Sequence, residues 1–335
     1  MKTRMIGNIE VSEIGMGCMG FSHGYGQIPE REYSIQAIQD AYHYGCTFFD
    51  TAETYGSQLY YLGHNEEILG EAVKDFRDKV VIATKFHLGD QPFDTFEDLE
   101  TSIRKHLSES MKRLQTNYVD LYYLHRVNLN VPVEDVAKVM GHLIDDGLIR
   151  GWGLSQVDKD TIEKAHNVTP LSAVQNIYNM LERGIEDEVI PYCLEHHIGI
   201  VPFSPVASGF LSGNVKADTK FEKVDDVRVF VPQLKQENIE GNMPIVELIS
   251  KYAEELNATN AQIALSWMIN KYPNIVPIPG SKNKGRIMEN LKASEVNLSE
   301  DQLKTLDDAL NKLEVHGHRG FVQFEGGKMS DWGKK

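Results

Sequence analysis

Cysteine is scarce in this chain: Cys18, Cys46 and Cys193 are widely spaced and form no C-x-x-C pair. An odd number at such spacing argues against a disulfide framework or a zinc knuckle. It fits a reducing cytosol, so a cytoplasmic location is expected. Basic residues are also few. Lys plus Arg total 34 against 49 Asp plus Glu, a formal net charge of -15 over 335 residues. A surface of that sign repels phosphate backbones, so no nucleic-acid partner is expected. No apolar run reaches the roughly 20 residues that cross a bilayer, and residues 1–15 hold no apolar core of a secretion signal; no membrane partner is expected. Linkers, low-complexity tracts and internal repeats are missing as well, so residues 1–335 read as a single domain.

What is present is an alternation of two periods. Short β-rich runs occur at 47–50, 80–84, 119–125, 151–154, 173–175, 199–203 and 275–277. Most are apolar on both faces, as parallel strands covered by helices must be. Helical spacing lies between them, clearest in Phe96, Leu99, Ile103, Leu107, Met111 and Leu114, and again in Ile245, Leu248, Ile249, Tyr252 and Leu256. Ser299 and Gln302 read as a capping box opening a helix near the C-terminus. With the early run around Gly15 to Cys18 there are eight strand positions in βα alternation. That pattern suits a closed barrel or an open doubly wound sheet, and number and length favour the α/β class with a (β/α)8 TIM barrel. Residues 1–12, with Gly7-Asn8 between two short runs, predict an N-terminal hairpin. A long loop, Val206 to Asn242, follows the seventh strand, and a C-terminal tail spans 316–335; segments of that length are usually lids or binding loops.

Gly15-Met-Gly17-Cys-Met-Gly20 matches the dinucleotide fingerprint G-x-G-x-x-G, but its context is wrong. That fingerprint opens a helix and needs an acidic residue about 20 positions on. Here Gly24, Gly26 and Pro29 follow, which cannot propagate a helix. The segment reads instead as a glycine-rich loop leaving room for a ligand at the barrel mouth.

The C-terminal ends of successive strands carry the chemistry. The second ends in Asp50 with Tyr55 in the loop beyond it, the third ends in Lys85 and the fourth in His125. In a (β/α)8 barrel these ends converge on one face, so a carboxylate, a phenol, an amine and an imidazole share one mouth. Singly, each has a bland explanation: a helix cap, a core aromatic, a solvated charge, a satisfied core histidine. Their joint arrangement favours function. An ammonium at an apolar strand end needs a partner, and Asp50 is the natural one. An adjacent ammonium is expected to lower the phenol below its usual value near 10, making Tyr55 a general acid that protonates an alkoxide as hydride arrives. His125 would orient the carbonyl oxygen or share the proton.

Phe48-Phe-Asp50-Thr-Ala-Glu53-Thr-Tyr55-Gly56 and Asn65-Glu-Glu-Ile-Leu-Gly70-Glu71 resemble the first signature of the aldo-keto reductases, and the resemblance runs from about Thr3 to Glu314. It implies a reductase of aldehydes or ketones in which Asp50, Tyr55, Lys85 and His125 fill the four catalytic positions, Tyr55 as proton donor. It also implies an extended nicotinamide cofactor across the barrel mouth. Ser155, Gln156 and Gln175 match the contacts to the carboxamide, and Phe203 the ring stacked on the nicotinamide. Ser204, Pro205, Gly209 and Leu211 lie in the stretch resembling the pyrophosphate loop. Gly280, Ser281 and Lys282 resemble the start of the segment that grips the adenosine 2′-phosphate, with Arg286 on adenine and Glu289 and Asn290 at its edge. Many members carry Lys where this chain has Gly280, so Lys282 or Lys284 is expected to supply the charge; the cluster favours NADPH over NADH. Met19, Phe21, Tyr25, Phe86 and Arg126, with His23, form the expected substrate pocket, suited to a carbonyl with a hydrophobic body. The stretch Ser57–Gly63 is expected to alter access, and Phe321, Phe324 and Trp332 to cover the pocket. His196-His197 and His316-x-His318 lack companions at ligand spacing, so no metal is assigned. Two rival readings stay open: a cofactor-sensing subunit of membrane channels with vestigial chemistry, and a barrel aldolase using Lys85 as a Schiff base. Substrate identity and oligomeric state are not legible.

Overall fold

Gly7 takes φ +57°, a left-handed conformation that glycine tolerates, and reverses the chain between β1 (Thr3–Ile6) and β2 (Ile9–Ser12), with Ile6 opposite Ile9. The computed structural model describes residues 1–221 and 224–320, together with the backbone of the strand pair Gln323–Phe324 and Lys328–Met329. After the hairpin come β3 (Met16–Gly17), β4 (Phe48–Asp50), β5 (Val81–Phe86), β6 (Val119–Leu124), β7 (Ile149–Ser155), β8 (Ala173–Gln175) and β9 (Gly199–Ile200), parallel neighbours in chain order.

Residues 275–280 close the barrel. Ile275 bridges Ile200, Gly280 bridges Gly17, and Val276 N–H and Gly15 N–H donate to the carbonyls of Ile200 and Pro277, each at 2.9 Å. The eighth strand is reduced to these bridges because Pro277 and Pro279 have no N–H to give a ladder. Gly17 accommodates the closure: a Cβ there would meet the Ile278 carbonyl oxygen at 2.9 Å.

The helices α1 (Arg31–His43), α2 (His64–Val73), α3 (Phe96–Arg113), α4 (Val133–Asp145), α5 (Lys159–His166) and α6 (Val189–Glu195) follow successive strands, and α7 (Gln236–Glu255), α8 (Asn260–Lys271), α9 (Lys284–Leu291) and α10 (Glu300–Leu310) complete the outer layer. Leu99, Ile103 and Leu107 of α3 are buried at the spacing expected, and the Ser299–Gln302 capping box forms. The long loop differs from expectation. It is punctuated by 3-10 turns at Ala207–Ser212, Val227–Phe230 and Pro232–Leu234, and α7 starts at Gln236 with Pro244 inside it. Its first turns are anchored from outside, Asn242 exchanging two 2.8 Å hydrogen bonds with the backbone of His316. Among the described residues no helix is long and apolar enough to cross a membrane.

Strand parity separates two cores. Inside the barrel, Phe48, Val81, Ala83, Leu121, Tyr123, Ala173, Val201, Val276 and Ile278 pack on Ile6, Ile9 and Val11, so the hairpin plugs the lower end. Phe49, Ile82, Phe86, Tyr122, Leu124 and Trp152 face the helices. Side chains alternate with a period of two. Continuing the inward set upward from Phe48, Ala83, Tyr123 and Ala173 reaches Asp50, Lys85, His125 and Gln175.

Candidate active site

These inward positions meet beneath an open cavity of about 670 Å³. Lys85 is fully buried under its floor and donates to Asp50 Oδ1 at 2.5 Å, the Thr51 carbonyl at 2.7 Å and Tyr55 Oη at 3.2 Å. An ammonium has three N–H donors; all three are placed. Gln175 Nε2 holds the other Asp50 oxygen at 2.8 Å. Because Tyr55 Oη accepts from Lys85, the phenol's own proton is left for the cavity that Tyr55 borders.

Burial lowers the Lys85 ammonium, but Asp50 and Tyr55 outweigh it and hold the group above its ordinary value, so it stays charged. The aldolase reading fails here: Schiff-base chemistry needs an accessible neutral amine, and Lys85 is neither accessible nor neutral. Burial pushes the Asp50 carboxyl up, against the pull of Lys85 and Gln175. Tyr55 departs from the sequence expectation. Burial raises the phenol above its ordinary value, and the pull of Lys85 does not overcome it. Burial, Arg126 and Lys85 push His125 well below the usual imidazole value, so it is neutral. Its ring stands edge-on to Tyr55 with centroids 5.8 Å apart, and His23 lies 5.7 Å from the same phenol ring.

Other signature residues position the loop. Buried Glu53 accepts from His87 N–H at 2.9 Å and pairs with His106 Nδ1 at 2.9 Å. Asn65 ties Thr51, the Cys18 carbonyl and Ser22 together, while Glu66 joins Thr84 of β5 to Arg113 of α3. The glycine-rich segment after β3 forms a 3-10 turn at Met19–Phe21 and no α-helix before α1, the loop expected in place of a dinucleotide fingerprint.

Around the cavity wall stand Met19, Tyr25, Arg126, Ser155, Gln175, Phe203, Ser204, Pro205, Gly209, Gly280, Ser281, Lys282, Arg286, Glu289 and Asn290. Four expected residues lie elsewhere. Phe86 follows Lys85 in β5, points the other way and stacks on Tyr122 at 4.7 Å. Phe21 and Leu211 are buried in the same helix-side core. Gln156 is buried at φ +57° and accepts from Ile177 N–H at 3.2 Å. Three cations, Lys282, Lys284 and Arg286, stand at the start of α9. Lys284 pairs with Asp40 at 3.1 Å and Lys282 donates to the Tyr25 and Gln27 carbonyls, whereas no described carboxylate pairs with Arg286. In the loop after Tyr55, Ser57 and Gln58 border the cavity, and Leu59, Tyr60, Tyr61 and Leu62 are exposed. The rings of Phe321, Phe324 and Trp332 lie outside what the structure describes. Among the described residues no group of three or more His, Cys, Asp or Glu could hold a metal ion.

Several lining residues were missed by sequence reasoning. Ser208 falls inside the stretch resembling the pyrophosphate loop but was not singled out there; it keeps its hydroxyl buried without a protein partner, amid left-handed φ values at Ser204, Ala207, Ser208 and Gly209. Such consecutive turns aim backbone N–H groups into a concavity that suits an anion. Asp225, Asp226 and Arg228 form a buckle across the mouth. Tyr25 bridges Asp226, Gly24 N–H donates to Asp225 at 2.7 Å, and Arg228 clasps Asp226 at 2.6 and 2.8 Å. The Asp-Asp-x-Arg spacing was a readable signal for that buckle. Arg319 had none: it reaches Ser204 Oγ at 3.4 Å while its N–H donates to buried Glu182, whose carboxyl is pushed up to about 7 by burial.

The fold and this site define an oxidoreductase of the aldo/keto reductase family, and the chain belongs to it: a profile of the Aldo/keto reductase family matches residues 13–311. Among its relatives, the probable aldo-keto reductase 1 of Glycine max is 36% identical over 318 residues, spanning 92% of this chain and 88% of that protein. The aldo-keto reductase yakc [NADP(+)] of Schizosaccharomyces pombe is 36% identical over 326 residues, spanning 95% and 94%. The solved glycerol dehydrogenase of Gluconobacter oxydans superposes with a TM-score of 0.81 at 26% identity, covering 93% of this chain and 95% of that one.

Proposed function

We propose that the protein reduces aldehydes or ketones to alcohols with NADPH, with Tyr55 as general acid. The observation that carries this reading is the placement of all three Lys85 protons, one of them on Tyr55 Oη, beneath a cavity that Tyr55 and His125 border. The cavity suits a dinucleotide. Ser208 Oγ and the left-handed turns around it offer an anion cradle for a pyrophosphate, and Arg286 at the start of α9 offers a charge for a 2′-phosphate. Ser155 and Gln175 border the cavity where a carboxamide would lie, and Phe203 where a ring would stack. The NADP(+) in the name of the Schizosaccharomyces pombe relative agrees with this choice over NADH.

When bound, NADPH supplies the hydride. The protein's part is proton transfer and orientation. A carbonyl oxygen between Tyr55 Oη and neutral His125 receives a hydrogen bond from each, since a neutral imidazole retains one donor. As the carbon accepts hydride, the oxygen becomes an alkoxide far more basic than a phenolate, so it takes the Tyr55 proton even from a phenol raised by burial. The negative charge then rests on the Tyr55 oxygen, 3.2 Å from the Lys85 ammonium, which Asp50 holds in place. The names of the relatives, all reductases or dehydrogenases, favour turnover over cofactor sensing. The test is a binding titration followed by an aldehyde panel. NADPH fluorescence should change on mixing and NADPH should then be oxidised, with NADH weaker; tight cofactor binding with no turnover on any carbonyl would overturn the reading.

A further inference from the structure

Arg126 brings a positive charge to the cavity beside the catalytic phenol, and among the described residues no carboxylate pairs with it. Its Nη1 donates to the His125 carbonyl at 2.5 Å and to Ser155 Oγ at 3.1 Å, both neutral acceptors. A guanidinium carries five N–H donors in a fixed fork. A charge drawn from water without a counter-ion is unfavourable unless something balances it.

The carboxylates bordering the cavity cannot do so. Asp50 is held by Lys85 and Gln175, and Glu289 accepts from Thr259 Oγ1 at 2.7 Å. Other cations on the wall are accounted for. Arg228 is clasped by Asp226, Arg319 lies within Coulombic reach of Glu182, and Lys282 and Arg286 follow the eighth strand, across the barrel from Arg126 after the fourth, with Lys282 donating to the Tyr25 and Gln27 carbonyls. Arg126 is therefore too far around the mouth to serve the 2′-phosphate end, yet its field reaches Tyr55 and His125.

We propose that Arg126 selects carbonyl substrates bearing an anionic group, a carboxylate or a phosphate, within a few bonds of the carbonyl. This rests on the reductase reading and names its substrate class. The planar fork matches either oxyanion with two parallel hydrogen bonds. The substrate thereby supplies the counter-charge that the chain omits, in a protein of net charge -15. An apolar aldehyde of the same size leaves the guanidinium unpaired and is disfavoured.

The test uses matched pairs with NADPH: 4-formylbenzoate against benzaldehyde, and glyceraldehyde 3-phosphate against glyceraldehyde, so that carboxylate and phosphate are read separately. The wild-type chain should favour the charged member of at least one pair in kcat/KM by about tenfold or more. Arg126→Gln should collapse that ratio through KM rather than kcat, and Arg126→Lys should restore part of it. A wild type without the preference, or an Arg126→Gln that keeps it, overturns the proposal. Should the wild type reduce no carbonyl at all, the reductase reading falls, and calorimetric titration of 4-formylbenzoate decides the proposal alone. Binding lost in Arg126→Gln upholds it; equal binding, or none, ends it.

Discussion

At residue scale the chemistry turns on one competition at Tyr55, between burial raising the phenol and Lys85 lowering it, and burial prevails. The phenol proposed as the acid is thus protonated throughout the neutral range. The proposed reduction uses the protonated phenol, which is fully present below the folded-state value and lost only as pH rises through it. Oxidation of an alcohol needs the phenolate. Its rate should climb with pH toward an apparent pKa above the ordinary phenol value of about 10. Profiles of kcat/KM in both directions check this; an oxidation plateau reached by about pH 8 contradicts it. Asp50→Asn removes the anion beside a fully buried ammonium and should cost about 3–5 kcal/mol of stability, read by urea unfolding. Much at this scale was legible. Asp50, Lys85 and His125 end apolar strands at positions that parity turns inward. The same parity turns Phe86 outward as soon as Lys85 is taken as inward, so that misreading was avoidable. The net direction at Tyr55 was not legible, because it depends on how deeply the loop buries the ring.

At the scale of elements, short signals sufficed where the determinant was local. The Gly7 turn, the Ser299 capping box and the spacing in α3 each name their own partner. They failed where the partner is distant. The long loop was expected to run to Asn242, whereas α7 starts at Gln236 and runs through Pro244, tied near its start by Asn242 to His316. The eighth strand survives as bridges because Gly17 and Ile200 meet it from both sides. The loop after β9 is fastened over the mouth by Asp225, Asp226 and Arg228, and Val227 and Arg228 border the cavity. Asp226→Ala severs that clasp and should speed NADPH release several-fold in stopped-flow fluorescence; an unchanged dissociation rate would deny the buckle any part in holding cofactor.

For the whole molecule, closed topology and charge act together. Eight strand positions place the hairpin plug at one end of the barrel and the phenol at the other; the alternation of periods with the strand count and chain length made the barrel legible, and the seating of the hairpin under it was not. Against a net charge of -15, Arg286 stands at the α9 end of the cavity without a described carboxylate partner. Arg286→Ala should weaken NADPH by about tenfold and NADH far less, and raised salt should narrow the gap between the two cofactors in the wild type. Equal losses for both in fluorescence titrations would remove the 2′-phosphate from its reach. The most direct test of the account is the single-turnover rate of NADPH consumption on an aldehyde by Tyr55→Phe beside the wild type. Cofactor affinity should be retained and the rate reduced about 10²–10⁴-fold; a variant that consumes NADPH within a few-fold of the wild-type rate would remove Tyr55 from its proposed role.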